Sequence, residues 1–190
     1  MNKQALKLNS IIEKHEFSYE SLFENDVTIH KYEINCSNLI KPNYEEKGLG
    51  YTTILPIIHD LMNINKPCVY WFETEKEEVA NNLINDLNCF RELKTERSVP
   101  ARNNKTNSKY IYVGIRQGGQ RKDGFTNIAG RISIHFGYYK VGSTQGLQLS
   151  YWAKDKLILN VMEMPETAAP FLNVIEKQIA NKLRPLCGRH

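Results

Sequence analysis

The sequence predicts a protein of mixed α and β structure. Short runs rich in aliphatic and aromatic residues, at 27–34, 68–73 and 109–115, are typical of strands. Between and after these runs, apolar residues recur three and four positions apart, as they do on one face of a helix. No internal repeat is visible. With 41% hydrophobic and 24% charged residues among 190, the chain fits one globular domain, or one domain with an extension.

The N-terminal half alternates between the two patterns. A first helix is predicted at 3–14 and a strand at 27–34, followed by a turn-rich stretch near 41–50. Apolar residues at helical spacing predict a second helix at 54–62. The run CVYWFE (68–73), which follows a proline, is typical of a strand.

Beyond this strand, Thr74 and Glu77 have the spacing of a capping box, which predicts a helix starting there and running to about Phe90. Residues 94–108 are polar and show no periodicity, so we expect a flexible loop. The elements predicted after this loop are a strand at 109–115, a glycine-rich basic loop at 117–124, a helix at 128–136 ended by Gly137, strands at 147–153 and 157–164, and a helix from about 167 to 183.

Charge and cysteine placement narrow the function classes. The net charge is +4, and the basic residues concentrate between 91 and 140, which indicates a surface able to meet a phosphate backbone. The four cysteines are scattered without a CxxC pair, which argues against a zinc site and a disulfide framework. No run approaches the roughly 20 apolar residues of a membrane span, and the N-terminus is too polar for a secretory signal. We therefore expect a cytoplasmic protein without a membrane partner.

Five residues suit phosphodiester hydrolysis. Tyr70 and Tyr112 lie in two predicted strands, Arg131 and His135 are four apart on one helix face beside its apolar stripe, and Glu176 borders the buried face of the last helix. A phenol whose pKa is lowered by nearby charge can relay a proton. Arginine contacts phosphate through a planar fork, and a carboxylate is the hard ligand that Mg²⁺ prefers.

The order of these residues resembles the GIY-YIG nuclease superfamily. The stretches Lys66–Tyr70 and Tyr112–Gly114 are similar to its two half-motifs, Arg131-x-x-x-His135 to its helix pair, and 175–186 to its final helix. The resemblance covers 67–190. It implies an α+β fold with a small antiparallel sheet flanked by helices, and endonuclease chemistry on DNA assisted by one divalent cation, Mg²⁺ or Mn²⁺.

Carried over to this sequence, the resemblance implies that Tyr70 is the general base or its relay, and that Tyr112 positions the water or the base. Arg131 would hold the scissile phosphate, His135 would assist proton transfer, and Glu176 would bind the metal. Beside these, the basic residues expected to contact nucleic acid are Arg116, Arg121, Lys122 and Lys140.

The sequence departs from the family pattern at several positions. Cys68 stands where the first motif has glycine, and Ile115 stands where lysine is common, although Arg116 or Arg121 can supply the charge. The two motif tyrosines are 42 residues apart, so 74–108 is predicted to be a helical insertion. After the last helix, Leu186-Cys187-Gly188-Arg189 lacks the asparagine that family members often carry.

Several alternatives stay open at the level of sequence. Residues 1–66 form an extension for recognition, dimerisation or packing, so a homodimer is possible. Because Tyr110 and Tyr112 are two apart in one strand, they are expected to share a face, and either can be the functional tyrosine. The second candidate function is a nucleic-acid-binding protein that keeps the fold while its chemistry has lapsed, which the missing asparagine and the changed glycine favour.

Overall fold

The predicted α+β class is confirmed in a computed structural model of the chain, whose described residues form a four-stranded antiparallel sheet and five α-helices. The model describes residues 27–40, 53–93, 98–103, 107–138 and 145–188. The helix expected at 3–14, the turns expected near 41–50, and Lys140 lie outside these residues.

The sheet is built from strands that are distant in sequence. They are β1 (Ile29–Asn35), β2 (Cys68–Glu73), β3 (Tyr110–Arg116) and β4 (Lys156–Glu163). Their order is β1-β4-β2-β3, with every neighbouring pair antiparallel. The central strands β2 and β4 are apolar along most of their length because both of their faces are covered. The two motif tyrosines therefore lie on adjacent strands.

Helices cover the two faces unequally. They are α1 (Leu55–Leu61), α2 (Glu77–Glu92), α3 (Asn127–Phe136), α4 (Leu149–Trp152) and α5 (Leu172–Leu183). Apolar residues of α1 to α4 share the larger core with one face of the sheet. A smaller core lies on the other face, beneath α5 and the 3₁₀ segment Glu166–Phe171 that precedes it. No helix among the described residues is long and apolar enough to cross a membrane.

The ends of α3 follow their sequence signals. The Thr126 hydroxyl accepts a hydrogen bond from the Ala129 backbone N–H, and Gly137 ends the helix at a φ of 95°. The capping box predicted for α2 is wrong, because that helix starts at Glu77 after Lys76. Thr74 is instead buried, and its hydroxyl donates to the carbonyl oxygens of Lys76 and Lys109.

The strand predicted at 147–153 is wrong. Gln148 has a left-handed backbone, and residues Leu149–Trp152 form a single helical turn. Leu147 and Trp152 are both buried, and the Trp152 indole N–H donates to the Leu147 carbonyl at 2.6 Å. A short apolar run has no period of its own, so sequence cannot separate a strand from such a buried turn.

The expected polar loop at 94–108 is anchored where it is described. The Asn103 backbone N–H donates to the Leu186 carbonyl, and its side chain donates to the Pro185 carbonyl, both at 2.9 Å. The Arg91 guanidinium donates to the Pro100 carbonyl at 2.6 Å. Residues 98–103 are therefore held against α2 and the segment after α5, which differs from the flexible loop predicted.

A β-bulge decides which tyrosine of β3 faces the larger core. Tyr112 pairs with Phe72 and Tyr110 pairs with Glu73, so Ile111 is the extra residue between them. Directly paired residues point to the same face of a sheet, and Phe72 and Glu73 point to opposite faces. Tyr110 and Tyr112 therefore lie on opposite faces, and the expectation that they share one is wrong.

Candidate active site

Tyr70 lies at the centre of the candidate site because β3 makes room for its ring. Its partner across the ladder is Gly114. A Cβ atom at position 114 would overlap the Tyr70 hydroxyl oxygen, would lie 2.6 Å from Tyr70 Cζ, and would lie 2.9 Å from the Tyr112 ring. Glycine thus allows the two tyrosine rings to stack across the strands, with centroids 6.2 Å apart.

Arg131 joins the two tyrosines from α3. Its Nε donates to the Tyr70 hydroxyl at 3.1 Å, and one terminal nitrogen donates to the Tyr112 hydroxyl at 3.3 Å. The other terminal nitrogen donates to the Gln145 carbonyl at 2.6 Å. Contacts through all three guanidinium nitrogens fix the orientation of the fork.

His135 is fully buried, one helical turn after Arg131. Its Nε2 lies 3.0 Å from the Tyr70 hydroxyl, and its Nδ1 accepts a hydrogen bond from the Leu147 backbone N–H at 3.2 Å. The expectation that His135 only flanks the core is therefore wrong. The packing of α3 between the sheet and the 145–148 segment encloses its ring, which also contacts Phe72 and Tyr112.

Burial dominates the protonation states of this cluster. Burial raises the pKa of the Tyr70 phenol, and Tyr112 raises it further, whereas Arg131 and Arg116 act in the opposite direction. This raised pKa opposes the ionised phenol that would relay a proton. Burial lowers the pKa of His135 well below its usual value, and the charges of Arg131 and Arg116 lower it further. The imidazole is therefore neutral at physiological pH.

A polar cavity of about 340 Å³ opens beside Arg131. Three of the residues that line it are arginines: Arg116, Arg121 and Arg131, together with Gln117 and Asn127. Both amides donate to backbone carbonyl oxygens, Gln117 to Ala169 at 3.0 Å and Asn127 to Gly118 at 2.8 Å. The guanidinium groups therefore dominate the charge of the cavity, which suits an anion.

Arg121 reaches the cavity by crossing α3 at Gly130. A Cβ at position 130 would lie 2.5 Å from one terminal nitrogen of Arg121 and 2.7 Å from its Cδ. The guanidinium also forms a salt bridge with Asp123 at 2.8 Å. A glycine inside an apolar helix is the sequence signal that could have revealed this contact, because it costs helix stability and usually has a packing reason.

Arg116 supplies the positive charge at the end of β3. It pairs with Cys68 across the ladder, on the face that carries Tyr70 and Gly114, whereas Ile115 packs into the smaller core. Its charge acts on Tyr70, Arg131 and Glu176. Arg116 and Arg121 both line the cavity, so either can supply the charge that a lysine supplies in the family pattern.

Glu176 lies on α5, which packs against β3 and β2. Burial raises the pKa of this half-buried carboxyl, while the nearby charges of Arg116 and Arg131 lower it. Within the described ranges, no basic side chain forms a salt bridge with it. Tyr70, Tyr112, Arg131 and His135 are thus in direct contact, and Glu176 lies within electrostatic range of Arg131. Lys122 is exposed outside the cavity lining.

Sequence analysis missed the residues that support this cluster. Gly114 was part of a motif, but its role as space for the Tyr70 ring depends on strand register. The backbone groups of Gln145 and Leu147 carry no sequence signal, because any residue has a carbonyl oxygen and any residue but proline has an N–H.

Comparison of the chain with models of known families, with curated proteins and with solved structures finds no match.

Proposed function

We propose that this chain is a metal-dependent endonuclease of the GIY-YIG type, which hydrolyses phosphodiester bonds in DNA. The observation that carries the proposal is the contact of Arg131 with both Tyr70 and Tyr112, at the wall of a cavity lined by arginines. A phenol able to transfer a proton, beside a fixed guanidinium, supplies a base and a positive charge for water attack on a phosphate diester.

The chemistry assigns a distinct task to each side chain. As the oxygen of water bonds to phosphorus, one proton of that water passes to the ionised Tyr70 oxygen. Arg131 stabilises the negative charge that accumulates on the phosphorane, and Tyr112 holds the second nitrogen of its fork. The bond to the leaving sugar oxygen then breaks, and that oxygen takes a proton from solvent.

Glu176 is the residue proposed to hold a divalent cation. Its carboxyl is half-buried and without a salt bridge among the described residues, so a cation would satisfy it. Glu176 is the one protein ligand that the GIY-YIG resemblance implies for this cation. Mg²⁺ tolerates this because it retains water and takes substrate phosphate oxygens. When bound, it supplies Lewis-acid stabilisation of the leaving oxygen.

The proposed substrate is duplex DNA in the cytoplasm. Arg116 and Arg121 in the cavity, and Lys122 beyond its lining, would neutralise backbone phosphates. Lys140, which lies outside the described residues, is proposed to do the same. The four cysteines are free, which fits a reducing compartment. Within residues 1–66, β1 and α1 belong to the sheet and the larger core. The rest of this extension is left to supply target recognition or a homodimer contact, and the 74–108 insertion is left to supply target recognition.

The second candidate is a DNA-binding protein whose chemistry has lapsed. The observation favouring it is the complete burial of Tyr70, which raises the pKa of the phenol and opposes the ionised form that a base needs. Under this alternative the arginine cavity binds phosphate, and water attack is lost.

Plasmid cleavage separates the two candidates. Supercoiled DNA should be cut with Mg²⁺ and left intact with EDTA. Tyr70→Phe should lower turnover by about 10²–10⁴-fold. Tyr110→Phe, which removes the same hydroxyl on the opposite face, should leave turnover unchanged. Glu176→Gln should abolish cleavage while DNA binding persists, with the exposed Glu166→Gln as the matched control. DNA binding without any Mg²⁺-dependent cleavage by the wild-type protein would favour the lapsed form.

A further inference from the structure

His135 is held by hydrogen bonds at both ring nitrogens. On one side the Leu147 backbone N–H points at Nδ1 over 3.2 Å, and on the other side the Tyr70 hydroxyl lies 3.0 Å from Nε2. A backbone N–H is always a donor, so Nδ1 must be the nitrogen with the free lone pair. In a neutral imidazole the proton then resides on Nε2.

This tautomer fixes the direction of the bond to Tyr70. Nε2–H can only donate, so the Tyr70 oxygen accepts from His135. The same oxygen also accepts from Arg131 Nε–H at 3.1 Å. A phenol oxygen has two lone pairs, and both are then used by the protein. The hydroxyl proton of Tyr70 therefore points along the one direction that neither donor occupies.

We propose that His135 is a positioning residue that donates a fixed hydrogen bond to Tyr70, and that it never accepts the Tyr70 proton. This inference rests on the proposed function for its catalytic consequence, and it replaces the proton-transfer role expected for His135 from the sequence. Two donors stabilise the ionised Tyr70 oxygen, which offsets part of the cost of its burial. The proton that Tyr70 gains from the attacking water is returned to water, because Nε2 already carries one.

Among the described residues, no other base is in contact with Tyr70. The titratable groups facing it are Tyr112 and Arg116 on β3 and Arg131 on α3. The 145–148 segment contributes to His135 the Leu147 N–H, which is not titratable. Both arginines remain protonated, so neither can take the proton.

Nitrogen NMR of the whole protein tests the tautomer without any assay of cleavage. Proton–nitrogen correlations of ¹⁵N-histidine protein distinguish a bare Nδ1 from a protonated one, and the signal lost in His135→Gln identifies the residue among the five histidines. We expect bare Nδ1 and protonated Nε2 from pH 6 to 8. A protonated Nδ1 with a bare Nε2, or a doubly protonated ring, overturns the proposal.

The pH profile of cleavage tests the consequence. Glutamine carries an amide N–H near the position of Nε2, so His135→Gln keeps the donor, while His135→Phe removes it. We expect the rise of kcat/KM with pH to move to higher pH in His135→Phe, with a loss of about 10-fold or more at pH 7.5, and to return towards the wild-type position in His135→Gln. Equal impairment of the two folded variants overturns the donor role. A wild-type protein that does not cleave contradicts the proposed function alone, because the NMR measurement still decides the tautomer.

Discussion

The two faces of the sheet bury the same strands against very different partners. Beneath α5, Val69 and Val113 pack with Ile175 in an apolar cluster. Beneath α3, the next residues along the same strands, Tyr70 and Gly114, place a phenol against an arginine and a histidine. The cluster beneath α5 stabilises the fold by burying apolar surface, whereas the cluster beneath α3 requires polar groups to be desolvated.

This difference between the two faces indicates which buried residues have a function, even where no related protein is known. Well-packed apolar residues of similar volume are often as stable as a buried charged network, or more stable. A network that uses all three nitrogens of Arg131 and both nitrogens of His135 is therefore poorly explained by stability. Substitutions on the two faces should separate activity from stability, and four predictions test this.

Among these four predictions, the largest effect is expected from Arg131→Ala. Loss of the guanidinium should lower turnover by about 10²–10³-fold, because charge on the phosphorane loses its donor, and should weaken DNA binding by about 10-fold. Arg131→Lys should restore only part of the turnover and part of the DNA binding, since an ammonium lacks the planar fork of a guanidinium. On the apolar face, Val113→Ala should cost about 1–3 kcal/mol of unfolding free energy and leave turnover unchanged. Comparable losses of turnover in Val113→Ala and Arg131→Ala would erase the distinction between the faces.

Gly114→Ala should give the next largest effect. The added Cβ overlaps the Tyr70 hydroxyl, so the ring must move away from Arg131 and His135. We expect turnover to fall by about 10²-fold, the lower range for a displaced acid–base group, with no further fall when the change is made in Tyr70→Phe. Gly124→Ala is the matched control, because a Cβ there meets no atom within 4 Å and only its φ of 85° is strained. Additive losses in the double variant would mean that Gly114 acts on something other than Tyr70.

How far the sequence could predict these residues depends on whether a feature is local. All four strands, the ends of α3 and the set of site residues follow from short-range pattern and motif order. Other features depend on what packs against them: the bulge at Ile111, the turn at Leu149–Trp152 and the enclosure of His135. Burial also raises the Tyr70 pKa, because desolvation outweighs the charges of Arg131 and Arg116. Neither the desolvation of a side chain nor the register of a strand can be predicted from a short sequence segment.

The third prediction is that His135 makes stability depend on pH. Its folded pKa is depressed by burial and by the charges of Arg131 and Arg116, so the unfolded chain binds more protons below a pH of about 6.5. Stability from the neutral ring is fully present above that pH. It falls by up to about 1.4 kcal/mol per pH unit on acidification. Urea unfolding at pH 7.5 and 5.5 should show this loss in the wild type and a smaller one in His135→Gln. An identical loss in both proteins would assign the acid sensitivity to other groups.

The smallest effect distinguishes the arginine cavity from the basic surface around it. Arg121 crosses α3 at Gly130 to line the cavity, whereas its neighbour Lys122 is exposed outside it. A phosphate seated in the cavity should release about one counterion on contact with Arg121. The slope of log Kd against log salt should therefore fall by about 0.9 in Arg121→Ala and change much less in Lys122→Ala. Gly130→Ala should reproduce the Arg121→Ala slope while keeping every charge, because the new Cβ displaces the guanidinium. Equal slopes for Arg121→Ala and Lys122→Ala would mean that DNA meets a diffuse positive surface, and that the cavity does not hold a phosphate.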